Sequence, residues 1–175
     1  MRRVSLFFRT LVFAVLFLAG SQILTTVAAA QSFTSSEGRF TVFFPGGEPK
    51  QQTESVQLKS GDSTKLFEFW TESDNSNVSY MVMYNDYSPE YATGDPQVVL
   101  ASTRDGMVKG KTLVTDNAVS LNGVPGRAFT AKDDHWNYSV RQYLKSKRLY
   151  QLIVVSNNDH PATQTDQFMN SFSIW

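Results

Sequence analysis

"TKLFEFWTESDNSNVSYMVMY", residues 64–84, reads as two strands joined by a turn. Phe67 and Phe69 fall on one side of the first segment, Leu66 and Trp70 on the other. In the second segment Val78, Tyr80, Val82 and Tyr84 point one way, with Met81 and Met83 opposite. A period of two is the mark of a strand, and "SDNSN" (73–77) supplies turn-forming side chains between the two. Apolar residues on both faces require a sheet that is covered on both sides.

The flanking segments extend this sheet. "GRFTVFFPGGEP" (38–49) alternates through Phe40, Val42 and Phe44 before Pro45-Gly46-Gly47 ends it. A weaker strand covers 54–60, and Gly61-Asp62 turns the chain into the opening segment. Beyond it, Asp95-Pro96 starts a helix over 96–109, because aspartate caps free N–H groups and proline suits the first turn. Val99, Leu100, Thr103 and Met107 recur at helical spacing, and Gly110 stops it. Strands follow at 112–121, 127–131, 136–144 and 148–155, with "NGVPG" (122–126) expected as a compact turn. Thr165, Phe168, Met169 and Phe172 then form the apolar stripe of a helix over 161–172. Together these predict a single α+β domain with an antiparallel sheet of about seven or eight strands.

The first thirty residues stand apart. Arg2, Arg3 and Arg9 precede nine apolar residues, Leu11 to Ala19, and Ala28-Ala29-Ala30 offers a cleavage site. The apolar run falls short of the ~20 residues that span a bilayer. We expect a signal peptide over 1–30 and one mature domain over 31–175, exported to a periplasm, the extracellular space or a thylakoid lumen. The lipoprotein-like "FLAGSQ" (17–22) carries Ser21 where a lipidated cysteine would stand, and the chain has no cysteine. That excludes a lipid anchor of this type, disulfides, thiolate metal sites and cysteine nucleophiles. Without its three leader arginines the chain has 13 basic residues against 16 acidic ones and no basic stripe, so nucleic acid is not an expected partner.

One stretch resembles a chemical site. "KDDHWNYSVRQY" (132–143) places Asp133, Asp134 and His135 together, all competent metal ligands. Adjacent strand residues point apart, however, so the better expectation is a solvated turn before a strand carrying Trp136, Tyr138, Val140 and Leu144 on one face. The only other histidine, His160, precedes Pro161 near the last helix. The G-x-S-x-G, Walker and dinucleotide patterns are absent. Glu68, between apolar strand neighbours, is explained as well by pairing with a strand arginine as by a role as catalytic acid. No catalytic residue, cofactor-binding residue or cofactor is assigned.

Read together, "GRFTVFFPGGEP", "LNGVPGRAF" (121–129), "RQYLKSKRLYQLIVV" (141–155) and "FMNSFSIW" (168–175) resemble the PsbP-like superfamily. That superfamily includes the photosystem II extrinsic subunit PsbP and DcrB-type periplasmic proteins. Ser146 stands where the family's last hairpin usually has glycine. The resemblance implies an α/β/α sandwich, an antiparallel sheet covered by helices on both faces, and action by binding rather than catalysis. The expected function is thus a non-enzymatic exported binding module, an accessory or assembly factor for an envelope or membrane complex, with an unidentified protein partner and at most peripheral membrane contact. Two alternatives stay open. One is a carrier of a small apolar ligand beside Trp70, Trp136 and the tyrosines. The other is a metal-dependent or serine hydrolase using His135.

Overall fold

The computed structural model describes residues 32–57, 63–88 and 94–175. Residues 1–31, 58–62 and 89–93 lie outside the described residues, and with them the expected signal peptide and the expected turn at Gly61-Asp62. In chain order the elements are β1 (Ser32–Ser35), β2 (Phe40–Phe43), β3 (Lys50–Gln57), β4 (Ser63–Ser73), β5 (Val78–Asp86), α1 (Pro96–Met107), β6 (Thr112–Leu121), β7 (Val124–Lys132), β8 (Trp136–Lys145), β9 (Arg148–Asn157), α2 (Thr165–Ser171) and β10 (Ser173–Ile174). They form a seven-stranded sheet ordered β3-β4-β5-β9-β8-β7-β6 and a three-stranded sheet ordered β1-β2-β10. Every pairing is antiparallel.

The alternation read from 64–84 survives in three dimensions. Val78, Tyr80, Val82 and Tyr84 are buried with Phe69, Tyr143, Tyr150, Leu152 and Val154 on one face. The small sheet covers that face through Phe40, Val42 and Phe44, joined by Phe168, Met169 and Phe172 from the C-terminal segment. On the opposite face, Val99 and Leu100 of α1 pack on Leu144 and Leu149. Met107 and Val108 at the end of α1 pack with Phe129, Val140 and Ile153. The start of α1 is as expected: the Asp95 carboxylate accepts from the Gln97 N–H at 2.8 Å, with Pro96 in the first turn.

Among the described residues an antiparallel sheet with two helices is therefore present, but a helical layer over each face is not shown. The small sheet supplies much of the cover on one side, and α2 has only seven residues. The expected helix over 161–172 begins four residues late and ends before Phe172. There the backbone turns extended (φ −72°, ψ 131°), which lets Ser173 and Ile174 pair with Thr41 and Phe40. Phe172 stays buried either way, so its apolar spacing does not distinguish the two backbones.

The expected "NGVPG" turn is also shorter than read. Asn122 and Gly123 alone turn the chain, both at positive φ (50° and 84°), the geometry that Asn-Gly hairpins favour. Val124 already pairs with Leu121 in β7. Pro125 pairs only with β6, one residue before the β7–β8 ladder begins at Gly126, where its missing N–H costs no hydrogen bond on that side.

Candidate functional site

A cleft of about 460 Å³ opens where the β8–β9 turn meets the β1–β2 turn. Its walls are Glu37, Arg39, Asp86, Lys145, Ser146, Lys147, Arg148, Tyr150 and Trp175. Sheet register explains the convergence. Lys145 lies opposite Arg148 across the two-residue turn, and Arg148 lies opposite Asp86 on β5. Ser146 holds φ +55°, the left-handed conformation that glycine adopts without cost.

One part of the cleft is locked. Arg148 Nε and Nη2 donate to the two Asp86 oxygens at 2.7 and 2.9 Å, a bidentate fork, and Nη1 donates to the Glu37 carbonyl at 2.7 Å. The guanidinium also lies 4.8 Å from the Tyr84 ring centre. The Tyr150 hydroxyl donates to the Gly38 carbonyl at 2.8 Å. The Arg148 and Tyr150 bonds tie β9 to the β1–β2 turn, 111 and 112 residues away in sequence, and the fork on Asp86 ties the same arginine to β5.

The locked groups keep their ordinary charges at neutral pH. Hydrogen bonds from Arg148 hold the Asp86 carboxyl below the usual carboxylate range, and Asp86 in turn raises Arg148. Burial pushes Tyr84 up to about 12, and burial also raises Tyr150. None of the four can gain or lose a proton near pH 7. The other part of the cleft is open: the side chains of Arg39, Lys145 and Lys147 have no hydrogen-bond or ion-pair partner among the described residues. Trp175 beside them is 51% exposed. Such a surface can attract and hold an anionic or aromatic group.

The residues singled out in the sequence lie elsewhere. Asp133 caps a turn: one oxygen accepts the N–H groups of His135 and Trp136 at 2.9 and 2.8 Å, and the other accepts the Tyr138 hydroxyl at 2.9 Å. The His135 N–H holds the Asp133 carboxyl below its usual range, with help from Tyr138 and Trp136, while burial and then Asp133 raise Tyr138 to about 12. Asp134 and His135 are exposed. Asn158 ties the turn down by donating to the Asp134 carbonyl at 3.0 Å, and its own N–H donates to the His135 carbonyl at 3.0 Å. His160 pairs through Nδ1 with Asp74 at 2.6 Å, away from any helix start. No group of three histidine, aspartate or glutamate side chains is placed to hold a metal among the described residues.

Two further expectations change. Glu68 is bonded by the Gln52 amide from β3, not by an arginine, because Gln52 is its direct cross-strand partner. Trp136 and Tyr138 line a shallow depression of about 240 Å³ with Ser76, Ser79, Met81 and Val155, whereas Trp70 lines a separate one with Lys50 and Glu72. The two tryptophans thus share no cavity. The cleft residues themselves went unmarked in the sequence. Its signal was the basic run Lys145-Ser146-Lys147-Arg148 across a turn, and Glu37, Arg39, Asp86 and Trp175 join only through the fold.

The architecture has a structural counterpart. The solution structure of cyanobacterial PsbP (CyanoP) from Synechocystis sp. PCC 6803 superposes with a TM-score of 0.53 at 13% identity, over 86% of this chain and 96% of that one. The fold is PsbP-like. A Bacteroides thetaiotaomicron VPI-5482 crystal structure matches with a TM-score of 0.42 at 8% identity, over 83% of this chain and 48% of its own. No family model matches the chain, and no curated protein matches it. No helix among the described residues is long and apolar enough to cross a membrane.

Proposed function

We propose that the protein is a non-enzymatic accessory module, made with a cleaved signal peptide over 1–30. Its single domain, 31–175, then works outside the cytoplasm by binding a component of an envelope or membrane complex. The observation that carries this reading is the cleft at the β8–β9 turn. Its fixed half consists of groups whose charges do not change near neutral pH, and its open half consists of cations without a partner among the described residues, beside an exposed tryptophan. A surface of that kind fits recognition of an anionic or aromatic group on a partner. The PsbP-like fold supports the reading, since the neighbouring CyanoP is a cyanobacterial PsbP. Asp133, Asp134 and His135 form a structural turn in this reading, and no metal, cofactor or catalytic residue is assigned.

The test is affinity capture with the mature protein as bait from the solubilised envelope fraction of its own source. A stoichiometric membrane-complex component retained by the bait supports the module. Hydrolytic turnover by the purified protein, abolished by His135→Ala, would replace it with an enzyme.

A further inference from the structure

We infer that the cleft at the β8–β9 turn takes an acidic, carboxylate-bearing segment of a partner protein, with Lys145, Lys147 and Arg39 as its contacts. The inference rests on the module reading and specifies what such a module would grip. Four lining side chains are cationic and two are acidic, so the cleft is net positive in a chain whose formal charge is zero. Asp86 holds Arg148 by a fork and feels Lys147 only through space, so the excess positive charge falls on Arg39, Lys145 and Lys147. Complementary charge of this kind sets orientation and partner choice.

The shape separates a protein segment from an anionic membrane surface. The cations rim a concavity of about 460 Å³ that also contains the Glu37 and Asp86 carboxylates. A densely charged bilayer presses on all of a patch at once and would be repelled by the Glu37 carboxylate. An extended segment can set its carboxylates opposite the lysines and leave Glu37 facing solvent. Trp175, half exposed at the margin, offers a ring face to the apolar stems of such a segment.

The experiment uses the purified protein and a fluorescein-labelled oligoglutamate peptide, with binding read by polarisation at low and physiological salt. The double variant Lys145→Glu/Lys147→Glu is compared with Lys109→Glu/Lys132→Glu, which changes net charge equally at two exposed lysines outside the cleft. Matching thermal melts check that both variants fold. The cleft variant should bind about tenfold or more weakly, and the control should keep most of its affinity. Raised salt should weaken the wild type. Equal losses in both variants, or no binding by the wild type, would sink the inference. Stronger binding to phosphatidylglycerol vesicles that depends on the same lysines would assign the cleft to membrane instead. Repeating the envelope capture with the cleft variant separates the two readings. Undiminished capture leaves the module standing and removes this contact, whereas no capture by the wild type removes the module itself.

Discussion

At one end of the seven-stranded sheet a row of aromatic residues crosses the strands; at the other end the equivalent row is polar except for Val78. Near the β8–β9 turn, Gly126, Tyr143, Tyr150, Tyr84 and Phe67 are successive cross-strand partners on β7, β8, β9, β5 and β4. Phe67 and Tyr84 stack at 4.5 Å, and Phe172 stacks on Tyr143 from the C-terminal segment at 6.0 Å. At the far end the row is Lys132, Asn137, Ser156, Val78 and Ser73. There the loops are held by side chains bonded to backbone: Asp133 to two N–H groups and Asn158 to two carbonyls. The contrast shows a division of labour. Where rings carry stability, charged side chains on the rim are free to face outward. Where no rings cross, the polar side chains are consumed in holding the loops.

Gly126→Ala should break the aromatic end most severely. A Cβ there would stand 2.5 Å from the Gln142 carbonyl oxygen and 2.5 Å from Tyr143 Cδ1. The ring of Tyr143 lies where the glycine lacks a side chain, and one obstructing atom belongs to the β8 backbone, which cannot rotate aside. The strands must separate, and we expect a loss of about 3 kcal/mol or more in a denaturant melt. Gly123→Ala, which meets no atom within 4 Å, should lose less despite its positive φ, at about 1 kcal/mol. Equal melts for the two would show that the row is loosely packed.

Arg148→Ala should come next. It removes the fork on Asp86, the bond to the Glu37 carbonyl and the contact with the Tyr84 ring. Breaking a fully buried pair costs more, but Asp86 is 37% exposed, so we expect about 2 kcal/mol. The pH dependence identifies the cause. Because the Asp86 pKa is lowered in the folded protein, its contribution is present above the unfolded value near ~3.9 and is lost as pH falls through the lower folded value. The variant should therefore lose less stability than wild type on acidification below about pH 4. Parallel acid curves would remove the ion pair as the source.

Tyr84→Phe tests the same end more gently. The Tyr84 hydroxyl is buried without a partner among the described residues, so deleting it should change stability by less than about 1 kcal/mol at pH 7 and can even stabilise. With a folded pKa of about 12, wild type should lose stability as pH rises from the unfolded value near ~10 towards the folded one. Phenylalanine cannot ionise, so alkaline melts of the variant should show a shallower decline. An identical decline would assign it to other tyrosines, Tyr138 first among them.

These experiments bear on what could be read from the chain itself. The strand pattern of 64–84 was legible because Val78, Tyr80, Val82 and Tyr84 alternate without a break and Phe67 and Phe69 show the same period before them. The helix at Asp95-Pro96 was legible because its cap is local. The small sheet was not: β1 and β10 have four and two residues, too few for a period, and β10 depends on Phe172 leaving the helix. The cleft was hidden for a related reason. Arg148 and Asp86 are 62 residues apart, and only the β5–β9 register makes them neighbours. Asp133, Asp134 and His135 drew notice because they are adjacent, yet adjacency in a turn serves the turn.

The smallest expected effect tests that last point at the polar end. His135 is exposed, and only its backbone takes part in the turn: its N–H donates to Asp133 and its carbonyl accepts from Asn158. Alanine keeps both bonds, so His135→Ala should shift stability by no more than about 0.5 kcal/mol, the range of ordinary surface changes. Asp133→Ala, two residues away, should lower the melting temperature measurably, because it leaves the His135 and Trp136 N–H groups and the Tyr138 hydroxyl without their acceptor. The pair separates a structural carboxylate from a chemical one. A metal held by Asp133 with His135 would reverse the ranking when zinc is added: wild type would gain melting temperature in proportion to the logarithm of zinc concentration, and His135→Ala would not. Flat zinc titrations for both proteins, with only Asp133→Ala destabilised, would show that the carboxylate acts through the three hydrogen bonds it accepts.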